Sequence, residues 1–210
     1  GSLRQPVTIK DVALHAGCGV ATVSRVLNNT GSASAVMRGR VLAATKALGF
    51  EFSEVGRSLQ SNTTRTIGIV IPSIANPVFA DAVQGAQEVF QSVGYQTLLV
   101  CTNYDSEFET QAIRMLMAKQ VDGFVLTVSD AHSSEGLTSI KGRGIPHCLL
   151  FNMAPDKEQS WSVDDCSAAS RVSDSFAEHG HTHVGFLALK FKSSDRARQR
   201  HQGFIDGCAR

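Results

Sequence analysis

The sequence has no long apolar run and little that could crosslink it. None of its apolar stretches approaches the roughly 18 residues that a membrane-spanning helix needs, and no charged-then-apolar leader opens the chain. Its five cysteines are scattered and form no Cys-x-x-Cys pair, which argues against a disulfide framework or a zinc cage. We therefore expect a cytoplasmic protein with no membrane partner and with free, buried thiols at Cys18, Cys101, Cys148, Cys166 and Cys208.

Signatures of common enzyme classes are also missing. No Gly-x-Ser-x-Gly elbow or phosphate-binding P-loop is present, and the Gly-Arg-Gly-Ile sequence at 142–145 lacks the third glycine and the preceding strand of a dinucleotide fingerprint. The His-Gly-His-Thr-His sequence at 179–183 lies where a helix is predicted to end and a strand to begin, so we expect no metal site there. The sequence favours a binding protein over an enzyme, with no cofactor.

The charge that is present is divided unevenly along the chain. The first 66 residues carry eight basic and three acidic side chains, and the remaining 144 carry twelve basic and sixteen acidic ones. A basic head on an acidic body is typical of a chain whose one end meets polyphosphate. The charge pattern alone is also compatible with a basic surface that contacts only solvent.

The basic head has the pattern of three short helices. Thr8 with Asp11 resembles a capping box, a second helix is predicted over 20–28 after a Gly-containing turn, and a third over 34–48. In the second helix Val23, Val26 and Leu27 fall on one face, whereas Ala21, Arg25 and Asn28 fall on the other. This is the helix-turn-helix pattern, and Arg25 could bind a guanine edge. An ordinary three-helix domain with a surface arginine remains the alternative.

The body alternates strands and helices, which predicts an α/β fold with a doubly wound parallel sheet. Ligands of such sheets bind beyond the carboxyl ends of the strands, which here are residues 73–79, 127–130 and Asn152. The adjacent acids Asp164 and Asp165 are expected at a helix N-terminus or beside a polar ligand. The predicted elements are strands over 66–72, 95–101, 124–128, 146–151 and 184–189 and helices over 78–93, 107–119, 134–141 and 168–178.

Several motifs resemble one known family in both identity and order. They are VTIKDVA (7–13), ATVSRVLN (21–28), RVLAA (40–44), LGF (48–50), RSL (57–59), TIGI (66–69), NPVFA (76–80), VDG (121–123), GIP (144–146) and RHQGF (200–204). Together they resemble the lactose-repressor/galactose-repressor family of bacterial transcription regulators over nearly the whole chain. The resemblance implies a homodimeric repressor that binds a near-palindromic double-stranded DNA operator and responds to a small-molecule effector such as a sugar. A solute-binding or sensing module without operator function is the alternative.

The resemblance also implies which residues meet DNA. Val20, Ala21 and Arg25 would read bases, with the two short side chains limited to apolar contacts such as thymine methyls. Thr8, Thr22, Ser24 and Asn28 would hold the DNA backbone. Leu59, in the hinge that becomes helical on the operator, would be the wedge that enters the minor groove. Glu54 and Gly56 depart from the usual hinge pattern and weaken its helix.

For the body, the resemblance implies a periplasmic-binding-protein-like core of two lobes that close on the effector. Val78 and Phe79 would wall the pocket, Thr127 and Asn152 would offer polar contacts, and Arg200 would clamp the effector. The implied domains are a head at 1–52, a hinge at 53–65, a first lobe at 66–163 and a partial second lobe at 164–210. Because the family continues well past this length, we expect an incomplete pocket and exposed apolar side chains over 184–189.

Overall fold

A computed structural model describes residues 7–51, 63–154, 159–188 and 191–210. The chain divides into two compact units, Gly1–Thr64 and Arg65–Arg210. Within the described residues, no helix combines the length and the apolar character that crossing a membrane requires.

The N-terminal unit contains three helices, α1 (Ile9–Ala16), α2 (Val20–Leu27) and α3 (Ala35–Leu48). The predicted capping box starts α1: the backbone N–H of Thr8 donates to the Asp11 carboxylate at 2.7 Å, and the Thr8 hydroxyl donates to the same oxygen at 2.6 Å. Gly17 ends α1 with a φ of 61°, a left-handed conformation that favours glycine. The short turn to α2 follows directly.

One apolar core joins these three helices. Its buried members come from all three: Val12, Ala13 and Ala16 from α1, Val23 and Val26 from α2, and Val41 and Ala44 from α3. Because α2 is only two turns long, burying one face leaves the opposite face in solvent. The predicted helix-turn-helix pattern is thereby confirmed.

The C-terminal unit is built on a parallel sheet of five strands in the described residues, in the order β2-β1-β3-β4-β5. The strands are β1 (Thr66–Ile71), β2 (Gln96–Cys101), β3 (Gly123–Leu126), β4 (His147–Leu150) and β5 (Ser160–Trp161). The helices are α4 (Pro77–Ser92), α5 (Ser106–Ala118), α6 (Glu135–Gly142), α7 (Asp165–Glu178) and α8 (Asp195–Cys208), with a 3-10 turn at Phe191–Ser193.

Side-chain alternation along the strands divides the apolar residues between two cores. In β1, Ile67, Ile69 and Ile71 belong to the cluster that contains Phe79 of α4, whereas Val70 belongs to the cluster that contains Ile113 of α5. Helices therefore cover both faces of the sheet, as the predicted doubly wound fold requires.

Three sequence predictions need correction. Residues 184–188 form no strand, because they pair with no other strand among the described residues. The two-residue strand β5 was not predicted, since it is too short to show a periodicity. The five cysteines are free but not buried: four are half-buried and Cys208 is exposed.

The expectation of exposed apolar side chains near the missing strand is confirmed. Val184 is 39% exposed and Leu187 is 91% exposed. Helix α7 begins at Asp165, earlier than predicted, because Asp164 accepts the backbone N–H of Ser167 at 2.9 Å and so caps it. This cap places Asp165 in the first helical turn.

Candidate functional site

The first candidate site is the exposed face of α2. Val20, Ala21 and Arg25, the three predicted base readers, are all exposed on this helix, while Val23 and Val26 hold its other face in the core. The Arg25 Nε donates to the Ala21 carbonyl oxygen at 3.2 Å, a bond that does not involve the two terminal guanidinium nitrogens. The structure thus brings these three residues together on one small outward surface.

The predicted backbone-contacting residues lie on α2 and at the start of α1. Thr22, Ser24 and Asn28 are half-buried in α2, and the Asn28 side-chain amide donates to the Ser24 hydroxyl at 3.2 Å. Thr8 is exposed at the start of α1, where the bonds to Asp11 lower the pKa of that carboxyl. The predicted wedge Leu59 lies outside the described residues.

The same unit also carries exposed cations on α1 and α3. Lys10, Arg40 and Lys46 are exposed, and Arg38 donates from Nη1 to the Asn29 side-chain oxygen at 2.8 Å, which links the start of α3 to the end of α2. A small exposed helical face can approach base edges, and cations of the same unit can hold phosphate oxygens.

The second candidate site is a cavity of about 800 Å³ in the C-terminal unit. Its lining comes from the start of α4, the ends of β2 and β4, the start of α7, the segment 186–188 and the first half of α8. The lining residues are Asn76, Val78, Phe79, Tyr104, Phe151, Val163, Asp165, Phe186, Leu187, Ala188, Ser194, Arg196, Ala197 and Arg200. A cavity of this volume suits a metabolite-sized ligand.

Aromatic rings form one wall of the cavity. Phe79 and Phe151 meet edge to face with their centroids 5.3 Å apart. Phe151, with φ 64°, and Tyr104, with φ 62°, both adopt the left-handed conformation, which is uncommon for residues other than glycine. Each residue follows a strand within three positions, and both line the cavity.

Two arginines of α8 supply the positive charge in the cavity. Arg200 donates from Nη1 to the Asp165 carboxylate at 2.8 Å. Arg196 is only 5% exposed, and it donates from Nη1 to the Val128 carbonyl oxygen at 3.0 Å and to Asp195 at 3.1 Å. Burial is the main cause that lowers the pKa of Arg196, and the neighbouring Asp195 carboxylate opposes it.

The other two predicted effector residues lie outside the cavity lining. Thr127 is fully buried and its hydroxyl donates to the Leu150 carbonyl oxygen at 3.0 Å. Asn152 is also fully buried; its side chain accepts from the backbone of Val128 at 2.9 Å and donates to Asp195 at 2.8 Å. The structure therefore brings Val78, Phe79 and Arg200 together at the cavity, without Thr127 and Asn152.

Several lining residues were not singled out from the sequence. Tyr104 and Phe151 come just after β2 and β4, so the rule that ligands bind at carboxyl ends of strands could have found them. Asp165 was noticed, but for its helix position and not for its pairing with Arg200. Arg196 carries no sequence signal that separates it from the neighbouring arginines of α8.

The fold and the two sites define a class: a helix-turn-helix unit followed by an α/β unit with a ligand-sized cavity. Residues 8–52 match the family described as "Bacterial regulatory proteins, lacI family", and residues 64–210 match "Periplasmic binding proteins and sugar binding domain of LacI family". The chain belongs to the LacI family of bacterial regulatory proteins.

Individual relatives agree with this membership. The chain is 30% identical over 206 residues to the HTH-type transcriptional regulator GntR of Escherichia coli (strain K12), covering 97% of this chain and 62% of the relative. It is 32% identical over 204 residues to the HTH-type transcriptional repressor PurR of Aliivibrio fischeri (strain ATCC 700601 / ES114), covering 95% and 60%. The chain thus spans about six tenths of the length of these relatives.

A solved structure gives the same result. The crystal structure of a LacI-family transcriptional regulator from Silicibacter pomeroyi superposes with a TM-score of 0.84 at 27% identity, covering 97% of this chain and 61% of that one. The predicted fold class, including a second lobe that this chain contains only in part, is confirmed.

Proposed function

We propose that this chain is part of a sequence-specific DNA-binding transcription regulator, a repressor, whose operator affinity is set by a small-molecule effector. The observation that carries the proposal is the outward face of α2, where Val20, Ala21 and Arg25 are exposed together above a helix held by Val23 and Val26. The PurR relative is a transcriptional repressor, which supports the direction of regulation.

On DNA, some residues of the N-terminal unit would contact bases and others would contact phosphates. Arg25 would donate two hydrogen bonds to a guanine edge, which discriminates by about 1–3 kcal/mol, and Val20 and Ala21 would contact thymine methyls. Thr8, Thr22, Ser24 and Asn28 would fix the register through phosphate contacts that carry no sequence information. A homodimer would place two such faces on a near-palindromic operator, with Leu59 as the minor-groove wedge.

The cavity would hold the effector. Val78 and Phe79 would wall it, and Arg200, held by Asp165, would donate to it. Asn152 would act indirectly, through the Asp195 carboxylate that it holds, and Thr127 through the end of β4. A ligand that prefers one lobe arrangement would change DNA affinity by about 1–3 kcal/mol of coupling, or roughly 5- to 150-fold.

Selection of the whole chain against a randomised duplex pool, in about 50 mM and about 200 mM salt, tests the DNA-binding proposal. We expect enrichment of a near-palindrome with a flexible central pyrimidine–purine step. Salt-sensitive binding without an enriched sequence would contradict operator recognition, and absence of binding at both salt concentrations would favour the sensing module.

Two alanine variants then separate base reading from phosphate binding. Arg25→Ala is expected to weaken binding to the selected site by about 1–3 kcal/mol and to relax base preference, because it removes the guanine contact. Lys10→Ala is expected to weaken all sequences alike and to reduce the salt dependence. Lys119→Ala, an exposed lysine of the C-terminal unit, is the matched control and should change neither. Equal losses for Arg25→Ala on selected and random DNA would contradict the base-reading role.

A further inference from the structure

Arg196, a residue of the cavity lining, carries a hydrogen-bond donor without an acceptor in the part of the chain that the structure describes. The residue lines the cavity and is only 5% exposed, and its Nη2 atom is buried without a hydrogen-bond partner among the described residues. A buried guanidinium nitrogen that lacks an acceptor is costly, so native structures rarely leave one without a reason. An acceptor oxygen on a ligand in the cavity would complete it.

The neighbouring carboxylate is already shared among several donors. The Oδ1 of Asp195 accepts from the backbone N–H and the Nη1 of Arg196, at 2.7 and 3.1 Å. Its Oδ2 accepts from the backbone N–H of Ala131 at 3.1 Å and from the Asn152 amide at 2.8 Å. Asp195 therefore fixes the orientation of Arg196. Its carboxylate already accepts four hydrogen bonds, and none of them comes from the Nη2 atom of Arg196.

A second guanidinium lies one helical turn away. Arg196 and Arg200 are four residues apart on α8, so they share a face, and the Arg200 charge opposes that of Arg196. Arg200 donates from Nη1 to Asp165, and its side chain is 47% exposed. The other N–H groups of its guanidinium can therefore donate to a ligand. A negative group between two like charges relieves their repulsion, which a neutral ligand does not do.

We propose that the cavity binds an anionic metabolite, with a carboxylate or phosphate group held by Arg196 Nη2 and Arg200, and with its carbon skeleton against Phe79 and Phe151. This rests on the proposed effector role of the cavity and names the chemical class of the effector. Planar guanidinium groups are the side chains best suited to such oxyanions.

Calorimetric titration of the whole chain with three matched sugars tests the proposal: glucose, glucuronate and glucose 6-phosphate, at constant ionic strength. They share a ring and differ at one position in carrying a hydroxyl, a carboxylate or a phosphate. We expect at least one anionic sugar to bind about tenfold or more tighter than glucose. A hydrogen bond between charged groups contributes a gain in affinity of that size. The tighter of the two anions identifies the group.

Two variants locate the effect. Arg196→Lys keeps a positive charge beside Asp195 but lacks Nη2, and it should lose about tenfold or more in affinity for the preferred anion while glucose binding stays unchanged. Arg143→Gln removes an exposed arginine that does not line the cavity and should leave all three affinities unchanged. Circular dichroism checks that each variant is folded.

The proposal is overturned if glucose binds as tightly as both anions, if no sugar binds, or if Arg196→Lys binds the anions as well as the wild type. Operator DNA affinity, measured with each sugar, separates this inference from the regulator function. Regulation by a neutral ligand would retain the function and refute the anion site. Anion binding through Arg196 by a chain that selects no operator would retain the site and refute the function.

Discussion

Gly203→Ala should destabilise the C-terminal unit, because α7 and α8 pack through small residues at this point. A Cβ atom on Gly203 would lie 2.0 Å from the carbonyl oxygen and 2.8 Å from the Cα atom of Cys166. The obstacle is the backbone of α7 and not a flexible side chain, so the helices would have to separate by about 1.4 Å to reach ordinary contact. Such overpacking costs about 1–3 kcal/mol.

Gly85→Ala is the matched control for this change. Gly85 lies inside α4 of the same unit, and a Cβ atom there would meet nothing within 4 Å. Both substitutions gain the same helix propensity of about 1 kcal/mol, so Gly85→Ala should stabilise by that amount. The free energies of unfolding of the two variants should therefore differ by about 1–3 kcal/mol, the cost of the clash alone.

Urea unfolding measures this difference. Far-ultraviolet circular dichroism reports the unfolding, because the helices of this unit lose their signal when it unfolds. Equal stabilities for the Gly203→Ala and Gly85→Ala variants would refute the close approach of α7 and α8. Since Asp165 precedes Cys166 and pairs with Arg200, the Gly203→Ala variant should also bind cavity ligands more weakly than the Gly85→Ala variant.

Two further predictions concern titration. Burial raises the pKa of Glu109, which accepts hydrogen bonds from the Ser129 backbone at 2.7 Å and from the Ser134 hydroxyl at 2.9 Å. The contribution of Glu109 to the free energy of unfolding is therefore present below the usual pKa of 4.5, and it is lost as pH rises through the raised pKa. Urea unfolding between about pH 5 and about pH 8 should show the Glu109→Gln variant gaining stability relative to the wild type as pH rises, and a constant difference would contradict this. Thr8→Val should raise the pKa of Asp11 toward 3.8 in an NMR titration, because the Thr8 hydroxyl bond is the largest cause that lowers it; an unchanged pKa would contradict the capping-box assignment.

The elements of the fold were predictable because their signals are local. Apolar spacing and caps placed the three head helices and the first seven elements of the body within about two residues of their observed bounds. The strand expected over 184–189 failed because pairing with a neighbour makes a strand, and apolar sequence alone does not. The short β5 was missed for the converse reason: its pairing with β4 defines it.

In the candidate sites, too, the features set by local sequence were predictable and those set by tertiary contacts were not. The outward face of α2 follows from helical period, so Val20, Ala21 and Arg25 could be grouped from the sequence. Thr127 and Asn152, which the sequence predicts to contact the effector, are buried, and they donate to the Leu150 carbonyl oxygen and to Asp195. Strand-end position identifies the edge of the sheet where a ligand binds, and not which side chains reach it.

By itself, the sequence determined the helix-turn-helix face and the parallel α/β sheet, because helical and strand periods and caps act between near neighbours. The family followed from the resemblance of its motifs. The tertiary structure decided which charges meet in the cavity. Arg196 and Arg198 are neighbours in α8, yet Arg196 turns to the buried Val128 carbonyl and Asp195, while Arg198 pairs with Asp130 at 2.5 Å. No local pattern distinguishes the two arginines, since contacts between α8 and the end of β3, over 60 residues apart in the chain, assign each its partner.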